Sequence, residues 1–236
     1  RKIPLAVVHP KNKKDLQVLI EFATQNKITL IPRAAGTSLA GQCVGDGIVV
    51  DVSKHFVNIL AFDELKRTIT IEPGVVRDEL NLFLQPFGLF FGPNTSTSNR
   101  CMIGGMVGNN SSGSTSIKYG VTRDKVLQID GLLSDGTDVS FKELTSEEFK
   151  IKTREQSLEG KIYKSIFNEL SQDEVQEEIK SQFPKPSIHR RNTGYAVDEL
   201  LDSDLFGGNH STVNVAKLLS GSEGTLVFST AITLEL

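Results

Sequence analysis

Apolar side chains recur with two different periods in the first fifty residues. Residues 3–8 form a short apolar run of the kind a strand needs. Leu16, Leu19, Ile20 and Ala23 then fall at i, i+3, i+4 and i+7, one face of a helix, and Asn12 stands where an N-cap belongs. Residues 28–31 and 48–52 are two more strand-like runs. Between them lies the loop PRAAGTSLAGQ, residues 32–42, built almost wholly of small side chains. Strand, helix, strand, loop and strand predict a small α/β unit with parallel pairing over residues 1–57.

The pattern then turns β-rich. Residues 58–62 and 68–72 can pair as a hairpin across DELKR. Val76, Leu80, Phe83 and Leu84 mark one face of a helix that Pro86 and Gly88 close. Residues 92–120 are rich in Gly, Ser, Thr and Asn. Residues 127–133 and 138–141 read as a hairpin with its turn at Asp135 and Gly136. Residues 142–182 are charged and helical, with Ile162, Ile166 and Leu170 at four-residue steps. They read as an amphipathic insertion with a solvated face; a partner-binding helix is the alternative. VNVAKLLS reads as a helix ending at Gly221, after which GSEGT turns the chain into a final strand. The predicted class is α+β: a small parallel lobe (1–57), then a larger lobe (58–236) with a mixed or antiparallel sheet and flanking helices.

Composition narrows the function classes. The chain has 236 residues and a net charge of −3, which argues against a nucleic-acid surface. No apolar run reaches the length of a membrane span. Cys43 and Cys101 make no CxxC pattern, so neither an iron–sulfur cluster nor a disulfide framework is expected within these residues. Free thiols fit a reducing compartment, the cytoplasm, with the inner face of the membrane as a further place for a longer parent protein. The chain starts at Arg1 without Met and stops just after a strand, so it is expected to be a piece of a longer polypeptide.

Three small-residue stretches are candidates for chemistry: 32–42, GPNTSTSNRCMIGGMVGNNSSG at 92–113, and GSEGT at 221–225. Consecutive backbone N–H groups with little side chain in the way form an anion-binding nest. A helix beginning near Ile103 would add its positive end. Each stretch alone is equally a tight structural turn. Three together point to a large phosphate-bearing ligand. None is GxGxxG, the P-loop or the nucleophile elbow GxSxG.

These stretches, in this order and across nearly the whole chain, resemble the FAD domain of the p-cresol methylhydroxylase/vanillyl-alcohol oxidase family. PRAAGTSLAGQ is similar to that family's pyrophosphate loop, and CMIGGMVGNNSSG, KYGVTRDKVL and GSEGTL are similar to its later FAD-contacting segments. RRNTGYAVDELLD resembles members that act on D-2-hydroxy acids (D-lactate, glycolate, D-2-hydroxyglutarate) and fuse this domain to a C-terminal iron–sulfur region.

The resemblance implies a PCMH-type FAD-binding fold with FAD extended between two lobes. It implies that Pro32, Arg33, Ala34, Ala35, Gly36, Thr37 and Ser38 hold the pyrophosphate, with Gln42 on the flavin side. Pro93, Asn94, Thr95 and Ser96 would line the cofactor. Gly104, Gly105, Asn109 and Gly113 would pack against it, with Tyr119 and Gly120 close by. Glu223, Gly224 and Thr225 would complete the site, with Ile232 near the adenine. Three positions depart from the family. Met102 replaces a Thr, which puts one hydrogen bond to the cofactor in doubt. Ala34 and Ala35 replace glycines, so ordinary dihedrals are expected there. Thr37 stands about where covalent members carry a His, which implies non-covalent FAD.

The implied reaction is oxidation of a D-2-hydroxy acid by hydride transfer to flavin N5, the electrons then leaving to an iron–sulfur region or another acceptor. Alternatives are a different flavin reaction, such as ether-lipid synthesis or enolpyruvyl reduction, or a non-catalytic domain that keeps the fold. In the resembling enzymes the catalytic and metal-binding histidines lie in a substrate domain beyond these residues. His9, His55, His189 and His210 are therefore read as structural or surface groups, and no base is assigned; His189 sits in IHRRNTGY, a candidate flavin-proximal segment. Arg190 and Arg191 are either carboxylate ligands or a solvated pair. Glu223 belongs either to a ribose-binding turn or to a plain helix-to-strand turn. Cys101 precedes a predicted helix start, which favours a thiolate, but a buried inert thiol is the competing reading. The fragment alone is expected to hold FAD weakly and not to turn over D-lactate.

Overall fold

Asn12 starts the first helix by the chemistry its position foretold: its side-chain oxygen accepts the N–H of Asp15 at 3.0 Å. The computed structural model describes residues 2–185, 187–188, 190–191 and 194–236. Strand β1 (Ala6–Val8), helix α1 (Lys13–Asn26), β2 (Leu30–Arg33) and β3 (Ile48–Asp51) come first. Among the described residues they build a three-stranded parallel sheet in the order β1-β3-β2. The buried face of α1, Leu16 and Ile20, packs with Ile48, Val50, Val52 and Phe56. Lys27 ends α1 in the left-handed region, at φ 55°. The first strand is shorter than its apolar run, because Ile3 and Leu5 lie outside the ladder and are exposed.

The second sheet follows from β4 (Ile59–Asp63), β5 (Thr68–Ile71), β6 (Val126–Leu132), β7 (Asp138–Thr145), β8 (Thr212–Asn214) and β9 (Phe228–Glu235). Its order among the described residues is β4-β5-β9-β6-β7-β8, antiparallel throughout. The last strand in the chain thus lies in the middle, with Ile232 opposite both Ile71 and Ile129. Helix α2 (Arg77–Leu84) buries Leu80 and Leu84 and closes through a tight turn at 85–87 and Gly88 at φ 66°. Short helices α3 (Ile103–Gly108), α4 (Ser116–Tyr119) and α5 (Thr122–Lys125) lead into β6. Leu132 of this sheet also packs into the core under the parallel sheet.

Two expectations need correction. Residues 142–145 are strand, not helix: β7 runs to Thr145, burying Val139, Phe141 and Leu144. Thr145 then caps α6 (Ser146–Lys152) through a reciprocal bond set with Glu148. Residues 213–220 are not one helix. Thr212–Asn214 pairs with β7, and only α10 (Ala216–Leu219) is helical, with Asn214 Oδ1 accepting the N–H of Ala216 at 2.9 Å. The β-branched Thr212, Val213 and Val215 suit a sheet edge better than a helix. The charged insertion holds α7 (Leu158–Leu170) and α8 (Asp173–Gln182), and Ile162 and Ile166 face the core as their spacing predicts. Helix α9 (Asp198–Leu201) follows and buries Leu200 and Leu201.

Arg123 ties three segments together. It is 1% exposed, and its guanidinium donates to the carbonyls of Ser220 (2.6 Å), Lys217 (3.1 Å) and Gly194 (3.1 Å). Burial pushes its pKa below the ordinary guanidinium value, and Glu199 opposes that. Arg123→Met would leave these carbonyls unpaired in the interior, at a cost on the order of 3 kcal/mol. Urea unfolding of the variant should show that loss, and Arg123→Lys should recover less than half, because an ammonium cannot span three carbonyls as a planar fork does. A shift below about 1 kcal/mol would mean water replaces the side chain freely.

Candidate functional site

The loop after β2, the turns at 94–114 and the turn before β9 meet around one cavity of about 830 Å³. That lies in the upper part of the roughly 300–1,000 Å³ range of small-molecule sites. Of the residues singled out in the sequence, the cavity is lined by 32–38 and Gln42 from the first loop, and by 94–96 from the second. Gly104, Gly105, Asn109 and Gly113 line it from α3 and beyond, and Glu223 and Gly224 from the last turn.

Five do not line it. Pro93 is buried, and its carbonyl accepts Arg77 Nε at 3.2 Å. Tyr119 packs edge-on to Phe90, and Gly120 (φ 78°) sits against Asp124. Thr225 is held by the Ser222 carbonyl (2.6 Å) and the Tyr195 hydroxyl (2.6 Å). Ile232 is 0% exposed inside the large core, because β9 is central and its side chain points into that core.

The first loop is arranged around Arg33. Its Nη1 pairs with Asp51 at 2.5 Å, and a β-carbon on Gly36 would lie 2.7 Å from its Nε. Gly36 takes φ 68°; Ala34 and Ala35 keep ordinary negative φ, as expected. Burial raises the pKa of Asp51, but hydrogen bonds from Ser53 and the charge of Arg33 outweigh it and hold the carboxyl below its usual range. Among the described residues, the N–H groups of Ala34, Ala35, Gly36, Thr37 and Ser38 donate to no protein acceptor. Five consecutive unspent donors beside a cavity make an anion-binding surface.

Helix α3 begins at Ile103 as expected, but its end contributes less than the sequence suggested. The N–H of Ile103 goes to the Val75 carbonyl (2.9 Å) and that of Gly104 to the Pro73 carbonyl (2.8 Å). The two adjacent glycines have different reasons. A β-carbon on Gly104 would lie 2.5 Å from Pro73 Cβ, so it serves packing. On Gly105 it would meet only Ala34 Cβ, at 3.7 Å, so it keeps the cavity wall flat. Gly113 serves packing as well, since a β-carbon there would lie 2.0 Å from the Asn94 carbonyl oxygen.

The last turn is pinned to the far end of α3: the N–H groups of Gly221 and Glu223 donate to the carbonyls of Val107 (2.9 Å) and Gly108 (2.8 Å). Glu223 holds φ 53°, unusual for a residue with a side chain, and accepts Gln42 Nε2 at 3.0 Å. That bond bridges the first and last loops. Gln42 Oε1 is buried and has no partner among the described residues.

Several lining residues were not foreseen, among them Cys43, Ser112, Ser114 and Phe228. The pair Arg190–Arg191 splits. Arg191 pairs with Asp198 and Glu199, while Arg190 lines the cavity and donates Nε to Ser112 Oγ at 3.0 Å. Cys101 is 4% exposed and its sulfur accepts the Thr95 hydroxyl at 3.2 Å. His9, His55 and His210 stand off the cavity, and His189 lies outside the described residues. Among the described residues no cluster of His, Cys, Asp and Glu could hold a metal, and no helix is long and apolar enough to cross a membrane.

The pattern that defines the FAD binding domain family matches residues 4–142. Over 237 residues the chain is 33% identical to a D-2-hydroxyglutarate dehydrogenase of Pantoea ananatis, covering 99% of this chain and 22% of that protein. Over 137 residues it is 34% identical to glycolate oxidase subunit GlcD of Bacillus subtilis, covering 58% of this chain and 29% of that one. The chain therefore spans under a third of the length of these relatives. The crystal structure of 6-hydroxy-D-nicotine oxidase from Arthrobacter nicotinovorans superposes with TM-score 0.62 at 15% identity, over 100% of this chain and 37% of that one, a likeness of fold. The match over residues 4–142 and the identity to the dehydrogenase across 99% of this chain show that it belongs to the FAD binding domain family.

Proposed function

We propose that this domain holds FAD non-covalently in the cavity and presents it for the oxidation of a D-2-hydroxy acid by a longer polypeptide. The observation that carries the reading is the row of unspent N–H groups at 34–38, whose donor set suits a diphosphate. Three further features fit the same cofactor. Gly105 offers a flat wall. Gln42 Oε1 is a buried acceptor awaiting a donor such as a ribose hydroxyl. Thr37, in place of a covalent attachment residue, supports non-covalent binding. Residues 1–57 and 58–236 act as the two halves that enclose it.

Bound FAD supplies a hydride acceptor at flavin N5. The chain's own groups bind and orient. The 34–38 backbone fixes the phosphates, the Arg33–Asp51 pair holds that loop in shape, and the Gln42–Glu223 bridge joins it to the last turn. The ionisable lining residues among those described are Arg33, Arg190, Glu223 and the thiols of Cys43 and Cys101. No base is assigned among these residues; the family resemblance implies that the group taking the hydroxyl proton lies in a substrate domain of the longer protein. The relatives' greater length supports this. An iron–sulfur region or another carrier in the longer protein would take the electrons.

FAD titrated into the domain should quench its own fluorescence in a saturable, one-site manner that survives in the longer polypeptide; failure of both to bind would remove the proposal. The two glycines of α3 should behave oppositely. Gly105→Ala should stabilise the fold by about 0.5–1 kcal/mol yet weaken FAD binding about tenfold. Gly104→Ala should destabilise the fold itself, through its clash with Pro73. Thermal melts and FAD titrations of the pair check this, and equal behaviour would contradict it.

A further inference from the structure

Arg33, Arg190 and Glu223 are the charged residues on the cavity wall among those described. Two are committed: Arg33 to Asp51, and Glu223 to the amide of Gln42. Arg190 makes no ion pair with any described residue and is exposed. Its Nε is held by Ser112 Oγ, which orients the guanidinium and leaves both terminal nitrogens for an incoming group. A fork so oriented matches two oxygens of one carboxylate and loses little freedom on binding it.

The neighbouring residue explains the orientation. Arg191 pairs with Asp198 and Glu199 on α9, and its carbonyl accepts Asn110 Nδ2 at 3.3 Å. These contacts pin the backbone beside the cavity and leave Arg190 facing it. Arg190 meets the cavity wall at the 111–114 segment, fastened to Asn94 through Ser114 (3.4 Å), whereas the first loop meets α3 where Ala34 faces Gly105.

We propose that Arg190 receives the carboxylate of the small-acid substrate at the mouth of the cavity. The inference rests on FAD occupying that cavity, as argued above. The test uses the full-length flavoprotein with Arg190→Gln and Arg190→Lys. Oxalate, an unreactive carboxylate, is titrated while the flavin absorbance is followed, and FAD per polypeptide is measured beside it. Arg190→Gln should weaken oxalate binding about tenfold or more, with Arg190→Lys between it and wild type, and FAD content unchanged in both. Loss of FAD with unaltered oxalate affinity would overturn the proposal and assign Arg190 to the cofactor's phosphates. Unchanged values for both would make it a solvated side chain. Wild-type flavoprotein that ignores oxalate would overturn the carboxylate site while leaving the FAD reading intact, and wild-type protein devoid of FAD would overturn both.

Discussion

Helix α3 lines the cavity at a depth set by backbone contact. The Gly104 N–H reaches the Pro73 carbonyl at 2.8 Å, a distance that leaves no room for a β-carbon at position 104. At that depth Ile103, Met106 and Val107 sink into the large core, each 3% exposed or less. The same helix borders the cavity, with Gly105 and Asn109 among its lining residues. The carbonyls of Val107 and Gly108 carry the last turn, and that turn carries Glu223 to Gln42. Lifting α3 by the width of one methyl group would disturb each of these links in turn.

Buried polar groups occur where loops have to be held. Arg123 gathers the carbonyls of 194, 217 and 220, and its own N–H reaches Asn110 Oδ1 at 2.8 Å. Asn110 in turn, at φ 46°, holds the Arg191 carbonyl. Asp51 holds Arg33 at the root of the first loop. Loops lined with unspent donors have little internal bonding to define them, so their shape depends on such anchors at their ends. This couples the cavity's form to the fold's stability without placing the anchors themselves against a ligand.

The local elements were legible because their signals are local. The face of α1, its Asn12 cap, the hairpin of β4 and β5 and the turn at Gly136 rest on spacing and turn chemistry within a few residues. The central position of β9 was not legible, since it depends on pairing with β5 and β6, far away along the chain. The same long-range pairing sets Ile232 inside the large core. Strand β8 was hidden by a run that satisfies helix and sheet patterns alike and is settled by its edge pairing to β7. Within the site, small residues announced the loops, but composition does not distinguish Gly104 from Gly105, nor Arg190 from Arg191. Those distinctions come from Pro73 and from the carboxylates of α9, which tertiary structure brings up.

The central claim is that the amides at 34–38 are spent on the phosphates of FAD. Hydrogen–deuterium exchange of the domain, with and without FAD, reads those amides directly. Strong protection at 34–38 on adding FAD, with lesser protection at 103–113, is the predicted result. Binding that leaves 34–38 exchanging as freely as before would contradict the claim and put the cofactor's phosphates elsewhere.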